Sequence, residues 1–279
     1  MDLSTWLSDT QYLISVDFVQ QALIASALLG LLSGVIAPLI VVRQQSFAVH
    51  GTAELALMGA AAALLFGLNV GGGAVIGSVV AAILLALLGM KQQDSAVGAV
   101  MSFGLGLSVL FIHLYPGRSS TAFSLLTGQI VGVSSSSLWI LVAVTVIVVS
   151  AVVIFWRPLL FASADPIMAQ ASGVNVRFIA VAFAVLVGLT TSQSVQIVGA
   201  LLVMALLITP GAAAVAVTAN PVKAVVLAVI FAEVSAVGGL LLSLAPGLPV
   251  SVFVTTISFV IYLVCRLIGW LRGRGAQRD

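Results

Sequence analysis

Read for polarity alone, the chain is a series of long apolar runs separated by short polar joints. A helix that crosses a bilayer needs roughly 20 mainly apolar residues. Runs of this kind lie near 18–42, 48–66, 72–90, 96–115, 136–156, 176–192, 195–217, 221–243 and 250–270. The pattern predicts an all-α, polytopic membrane helix bundle of about nine spans. Eight is the alternative, because only Thr190 to Gln196 interrupts residues 176–217, which then form one broken hairpin.

The longest break in this pattern lies between Arg157 and Arg177. Within it, Asp165-Pro166 is a helix-start signal and Gly173 a helix-stop signal. Together they predict a short helix of about two turns lying outside the bilayer. So short a helix is unstable alone, because nucleation is costly and few hydrogen bonds follow it. It must dock, either on the chain's own spans or on a soluble partner. A second break, Ser119 to Ser137, is too polar and too short to cross. Its apolar residues Phe123, Leu125, Leu126, Ile130 and Val131 predict a half-inserted or surface helix. Gly30/Gly34, Gly73/Gly77 and Gly128/Gly132 have the spacing that lets membrane helices approach closely. No soluble domain and no internal repeat is visible, so residues 1–279 read as one membrane domain. Its parts outside the bilayer are an N-terminal segment (1–17), the loop at 158–175 and a tail (271–279). Trp6, Tyr12 and Phe18 suit an interfacial segment leading into the first span.

Composition agrees with the pattern and narrows the class. Hydrophobic residues make up 62% of the chain and charged residues 6%, against about 25% charged in ordinary globular domains. A soluble fold of this length would need far more polar surface. No basic stripe exists outside the C-terminal tail, which argues against a nucleic-acid partner. The lone Cys265 forms no intramolecular disulfide and supplies no thiolate cluster. Met1 to Asp17 holds three acidic residues and no basic one, so no secretory leader is expected.

The few charges set the orientation. In a nine-span arrangement Arg43, Lys91, Arg157, Arg177, Lys223, Arg266, Arg272, Arg274 and Arg278 share one side, and Arg118 alone of the ten basic residues takes the other. The positive-inside rule makes the crowded side cytoplasmic. The N-terminus is then outside, and the C-terminus and the 157–177 loop are inside.

Ionisable groups within spans are costly and mark function by default. The candidates are His50, Glu54, Glu233 and, at the outer end of the fourth span, His113. His50 and Glu54 stand at i and i+4, on one helix face about 6 Å apart. An imidazole nitrogen and a carboxylate oxygen so placed can ligate one divalent cation, Zn²⁺ included. They can equally form a hydrogen-bonded pair that neutralises itself within the bundle. Glu233 either lines a pathway or is hydrogen-bonded to Ser235 or a neighbouring helix. His113, beside Tyr115-Pro116, suits an interfacial histidine better than a ligand. No GxxxxGK[ST] phosphate loop, HExxH or GxSxG occurs, which excludes ATP hydrolysis by the first route and the usual zinc-protease and serine-hydrolase chemistry.

Three stretches resemble the membrane subunits of the zinc/manganese ABC importers. They are Ser46 to Ala61 (SFAVHGTAELALMGAA), Asp165 to Gly173 (DPIMAQASG) and Val198 to Ala213 (VGALLVMALLITPGAA). The likeness runs from about residue 18 to 270. It implies a permease that dimerises, binds two cytoplasmic ATPase subunits and receives its ion from an extracytoplasmic metal-binding protein. It also implies a prokaryotic plasma membrane, ATP used by the partner and no permanently bound cofactor. Asp165, Pro166, Ala169, Ser172 and Gly173 would then contact the ATPase. The family's motif has Asp and His four residues apart; here His50 and Glu54 keep the ligand types with their order exchanged. Glu233 matches no motif of the family.

The expected function is therefore permeation of a divalent transition metal, zinc first and manganese second, coupled to a separate ATPase. The alternatives are an ABC permease for an iron chelate or cobalamin, a secondary transporter working without ATP, and a scaffold that transports nothing. A scaffold has no need of His50 and Glu54 on one face, and an ATP-independent carrier has none of a docking loop. The charge distribution generates a direct test. With Cys265 replaced by serine, single cysteines at positions 69, 118 and 247 should label from outside. Those at 92, 165 and 275 should label only after permeabilisation, and labelling of position 165 in intact cells would overturn the topology.

Overall fold

The computed structural model describes residues 12–87, 93–117, 133–199, 202–246 and 248–275. Most of the N-terminal segment with Trp6, the predicted surface helix with Gly128/Gly132, the basic residues Lys91, Arg118 and Arg278, and the last four residues of the tail lie outside these. Every regular element among the described residues is helical. In chain order they are α1 (Asp17–Val42), α2 (Ser46–Leu65), α3 (Val70–Leu87), α4 (Gln93–Leu114), α5 (Ser135–Ile154), α6 (Trp156–Ala164), α7 (Pro166–Ala171), α8 (Val176–Val198), α9 (Val203–Leu207), α10 (Thr209–Val217), α11 (Pro221–Leu244) and α12 (Val250–Gly275). In a bilayer, a helix satisfies its backbone groups internally, which is why apolar runs this long take that form.

Among the described residues, seven helices (α1, α2, α4, α5, α8, α11 and α12) are long and apolar enough to cross a membrane. Two shorter apolar helical stretches, Val70–Ala86 and Val203–Val217, occupy the third and seventh predicted runs. The chain is a multi-pass helical membrane protein. One boundary moves. The sixth span was expected to end at 192, with Thr190 to Gln196 as the joint, yet α8 continues to Val198 and the chain turns at Gly199, φ 83°. The polar run stays helical with three of its four hydroxyls satisfied from within, Thr191 being the exception. Thr190 donates to the Leu186 carbonyl, Ser192 to Leu189 and Ser194 to Thr190. The seventh run is in turn divided at Ile208, just before Thr209-Pro210, where proline removes a helix donor.

The chain divides into two compact units. The first takes in described parts of residues 1–41, 130–138 and 205–279, including α1, α10, α11 and α12. Here Gly34 of α1 admits the backbone of α11 at Val229, Gly239 of α11 lies against Val254 of α12, and Gly269 of α12 against Ala216 of α10. Asn220 caps α11, its Oδ1 accepting from Val222 N at 3.0 Å and Lys223 N at 3.1 Å.

The second unit spans residues 42–129 and 139–204 and is built around α2. α3, α4 and α8 all pack on this helix, and Gly51 to Leu57 form an unbroken buried stretch. Small residues make such crowding feasible. A Cβ on Gly59 would strike the Gly73 carbonyl, one on Gly73 would strike Gly59, and one on Gly77 would strike the Leu55 carbonyl. α8 approaches somewhat less closely, a Cβ on its Gly188 standing 3.0–3.2 Å from the backbone of Ser78 and Val79 on α3. Between spans there is no hydrophobic drive beyond that offered by lipid, so close packing of this kind holds them together. Gly73→Ala should therefore destabilise the folded chain by about 1–3 kcal/mol, the usual cost of overpacking. Gly98→Ala, with nothing within 4 Å of the added carbon, should be neutral or stabilising. Thermal unfolding of the two variants in detergent distinguishes them, and equal melting temperatures would disprove the contact.

Candidate functional site

α2 begins abruptly. Gln45 occupies the cap position without giving a side-chain cap, so its first N–H groups rely on other partners. Its far end is closed conventionally: Gly67 takes φ 67°, Gly67 N donates to Leu64 O and Leu68 N to Ala63 O, the pattern of a Schellman stop. Between these ends lie His50 and Glu54, one turn apart on one face. Glu54 is buried, 9% exposed, and His50 is half-buried. His50 Nδ1 and Glu54 Oε2 are both inaccessible and have no hydrogen-bond partner. Thr52, between them, is satisfied by the Ala48 carbonyl at 2.8 Å. The α4 helix crosses behind, with Gly104 against the Glu54 backbone and Leu55.

A buried polar atom without a partner costs about 1–3 kcal/mol, and more if charged. Here one nitrogen and one oxygen bear that cost side by side. This is the donor set a divalent transition ion accepts. Among the described residues no three His, Cys, Asp or Glu side chains gather into a closed cage. An ion held by this pair alone would be held loosely.

The remaining expected residues are dispersed. Glu233 lies in the other unit, on α11, with Cδ 3.0 Å and Oε1 3.1 Å from the place a Gly30 side chain would begin. Its neighbour Ser235 is not its partner, since that hydroxyl donates to the Phe231 carbonyl at 2.7 Å. His113 is exposed in the last turn of α4. One group escaped the reading of the sequence. Thr191 Oγ1 and Gln193 Nε2, both deep in α8, are buried without partners; the run TTSQS was visible but looked like a joint.

The loop helix α7 is built as its sequence suggests. Asp165 takes an extended conformation, and its Oδ1 accepts from Ile167 N at 3.0 Å and Met168 N at 2.9 Å. Pro166 fills the first helical position, where its missing N–H costs nothing. At the other end Ser172 is the C-cap, Gly173 sits at φ 86°, and Val174 N donates to the Ala169 carbonyl at 3.0 Å. Asn175 then caps α8 through Phe178 N. Ala169 is fully buried and supports the helix from beneath, whereas Ile167 is 80% exposed and Met168 57%. The apolar pair facing outwards was not singled out from the sequence, because periodicity over six residues cannot tell which face is covered.

The pattern of the ABC 3 transport family matches residues 15–269. The chain belongs to that family. Within it, the chain is similar to the manganese transport system membrane protein MntC of Listeria monocytogenes, 34% identical over 258 residues, covering 90% of this chain and 92% of the relative. It is also similar to the manganese import system permease protein ScaB of Streptococcus parasanguinis, 33% identical over 71% of each chain. Among solved structures it shares the fold of PsaBC from Streptococcus pneumoniae, determined in complex with Fab. That likeness has a TM-score of 0.84, 24% identity and 95% coverage of both chains.

The capping geometry of α7 predicts a local effect. Asp165→Ala leaves two N–H groups without an acceptor and should weaken the helix by about 1 kcal/mol. Hydrogen exchange at the amides of residues 167–171 should accelerate while α8 keeps its protection. Unchanged exchange would show that the cap contributes nothing.

Proposed function

We propose that this chain is the permease subunit of an ATP-binding cassette importer for a divalent transition metal, in which His50 and Glu54 ligate the ion in transit. The observation that carries the reading is the pair of buried, unpartnered donor atoms on α2, present in a chain of an ABC transport family. The names of its relatives favour manganese as the cargo, with zinc next; a mixed nitrogen and oxygen pair accepts either. Two copies of the permease form the pathway, each supplying one pair, and an extracytoplasmic binding protein hands over the ion. Energy comes from separate ATPase subunits, since the chain has no phosphate-binding loop of its own.

In this reading the loop at 158–175 faces the cytoplasm of a prokaryotic cell and docks on the ATPase through α7. Asp165, Pro166 and Gly173 fix the shape of that helix, Ala169 seats it, and Ile167 and Met168 face the partner. Ser172 closes its last turn. Burial of Ile167 and Met168 in a cleft gives the contact its apolar anchor. The ion site has few ligands per subunit, which suits transport, because a complete cage would trap the ion.

Glu54→Gln is the sharpest test, since it keeps shape and hydrogen bonding and removes the charge. In proteoliposomes holding the full complex, Mn²⁺ uptake should fall about tenfold or more, equivalent to at least ~1.4 kcal/mol on the transport barrier. His50→Ala should do the same, with protein level and dimer assembly unchanged. Wild-type uptake by Glu54→Gln would make the pair structural and sink the proposal.

A further inference from the structure

Arg43 counts in the sequence as one more topological charge, but it does not behave as one. A topological arginine keeps its head in water. This one is directed into the second unit. Its Nε donates to Ser163 Oγ at 2.7 Å and its Nη2 to the Leu159 carbonyl at 3.1 Å. Its guanidinium carbon stands 4.4 Å from the centroid of the Phe183 ring. Phe183 and Leu159 are both buried, and Ser163 in turn donates to the Leu159 carbonyl. Burial pushes the guanidinium pKa down to about 10, which leaves it charged at neutral pH.

The partners matter for where they lie. Leu159 and Ser163 belong to α6, which leads into α7 through Asp165 alone. Phe183 belongs to α8, which follows α7. Arg43 therefore grips the helices on both sides of the loop helix. On its own side it stands in the turn before α2, where Gln44 adopts φ 56°. A non-glycine residue in that region is strained and persists only when its surroundings fix it. No side-chain cap secures the helix start, to which Gln45 contributes its carbonyl alone, accepting from Val49 N at 3.1 Å. Arg43 bonds α6 and stacks on α8 three positions before this start, and His50 and Glu54 follow within the next three turns of one continuous helix.

We infer that Arg43 is a positioning residue that ties the α6–α7–α8 segment to the start of α2, so that a shift of the loop helix is delivered to His50 and Glu54. This rests on the functional reading given above. The fork of the guanidinium serves two acceptors and its flat face the ring, a combination that lysine cannot supply. Coupling between two sites requires a physically continuous element that both can bias, and the path from α6 through Arg43 into α2 is one.

The test uses the full-length permease with its ATPase and binding protein in lipid nanodiscs and proteoliposomes. ATP hydrolysis is measured with and without Mn²⁺-loaded binding protein, together with Mn²⁺ moved per ATP. For Arg43→Gln and Arg43→Lys, basal hydrolysis should stay at the parent's level. The Mn²⁺-dependent increment and the transport ratio should fall roughly fivefold or more, the range of a typical coupling energy. Phe183→Leu, which removes only the ring face, should lose less in the same direction. Stimulation and transport ratio at the parent's values in both Arg43 variants would overturn the inference. So would failure of both to assemble, which would confine Arg43 to the fold. A parent complex that moves no divalent metal would instead defeat the functional reading itself.

Discussion

Where Gly59 meets Gly73, two helix backbones touch with no side chain between them. The second unit depends on that contact. Lipid gives apolar spans no reason to leave it, so a helix can be enclosed by protein only if its neighbours come near enough for dispersion to accumulate. Gly59, Gly73 and Gly77 bring α3 onto α2, Gly104 admits α4, and Gly188 brings α8 onto α3. The enclosure of α2 has a chemical consequence. The α2 stretch from Gly51 to Leu57 is buried in protein, so polar atoms directed inwards there depend on neighbouring helices for partners. His50 Nδ1 and Glu54 Oε2 are left unmatched.

The loop helix follows a different economy. Six residues cannot sustain a helix by themselves, yet every weak point of α7 is covered: Asp165 at the start, Gly173 at the end, and Ala169 wedged against the protein below. Fixing the backbone in this way lowers the entropy lost when a partner binds. It leaves Ile167 and Met168 displayed on a rigid platform. An apolar surface held ready but uncovered fits an interaction site better than a stretch of solvent-facing loop.

How much of this was legible in the sequence depended on how local the cause was. Caps are local, so Asp165-Pro166 and Gly173 located α7 almost to the residue. Hydropathy is nearly local, and each described helix long and apolar enough to cross a membrane falls on one of the runs it marked. It failed at Thr190 to Gln196, where polarity looked like a joint. Three of the four hydroxyls there bond to carbonyls one turn back, a solution that hydropathy does not register, and the true turn falls at Gly199. Long-range contacts left less trace. The spacing of Gly73 and Gly77 pointed to close packing, but nothing marked Gly59 as their counterpart. Arg43 could be read only as a charge near a membrane face, because its partners lie more than a hundred positions away.

The weakness of the His50 and Glu54 pair fits the proposed transport role. An ion that must enter and leave within one cycle needs a site favourable enough to draw it from water and too incomplete to keep it. With one nitrogen and one oxygen, a single chain offers half of a tetrahedral set, so a second copy or a change in helix position can complete or dissolve the site. Selectivity then cannot rest on these two atoms, since affinity for any such pair rises from manganese towards copper whatever the cell requires. It must be imposed upstream, by whatever delivers the ion. On that reading the chain is left to control timing, and the inferred route for such control is the end of α2 where Arg43 meets α6 and α8.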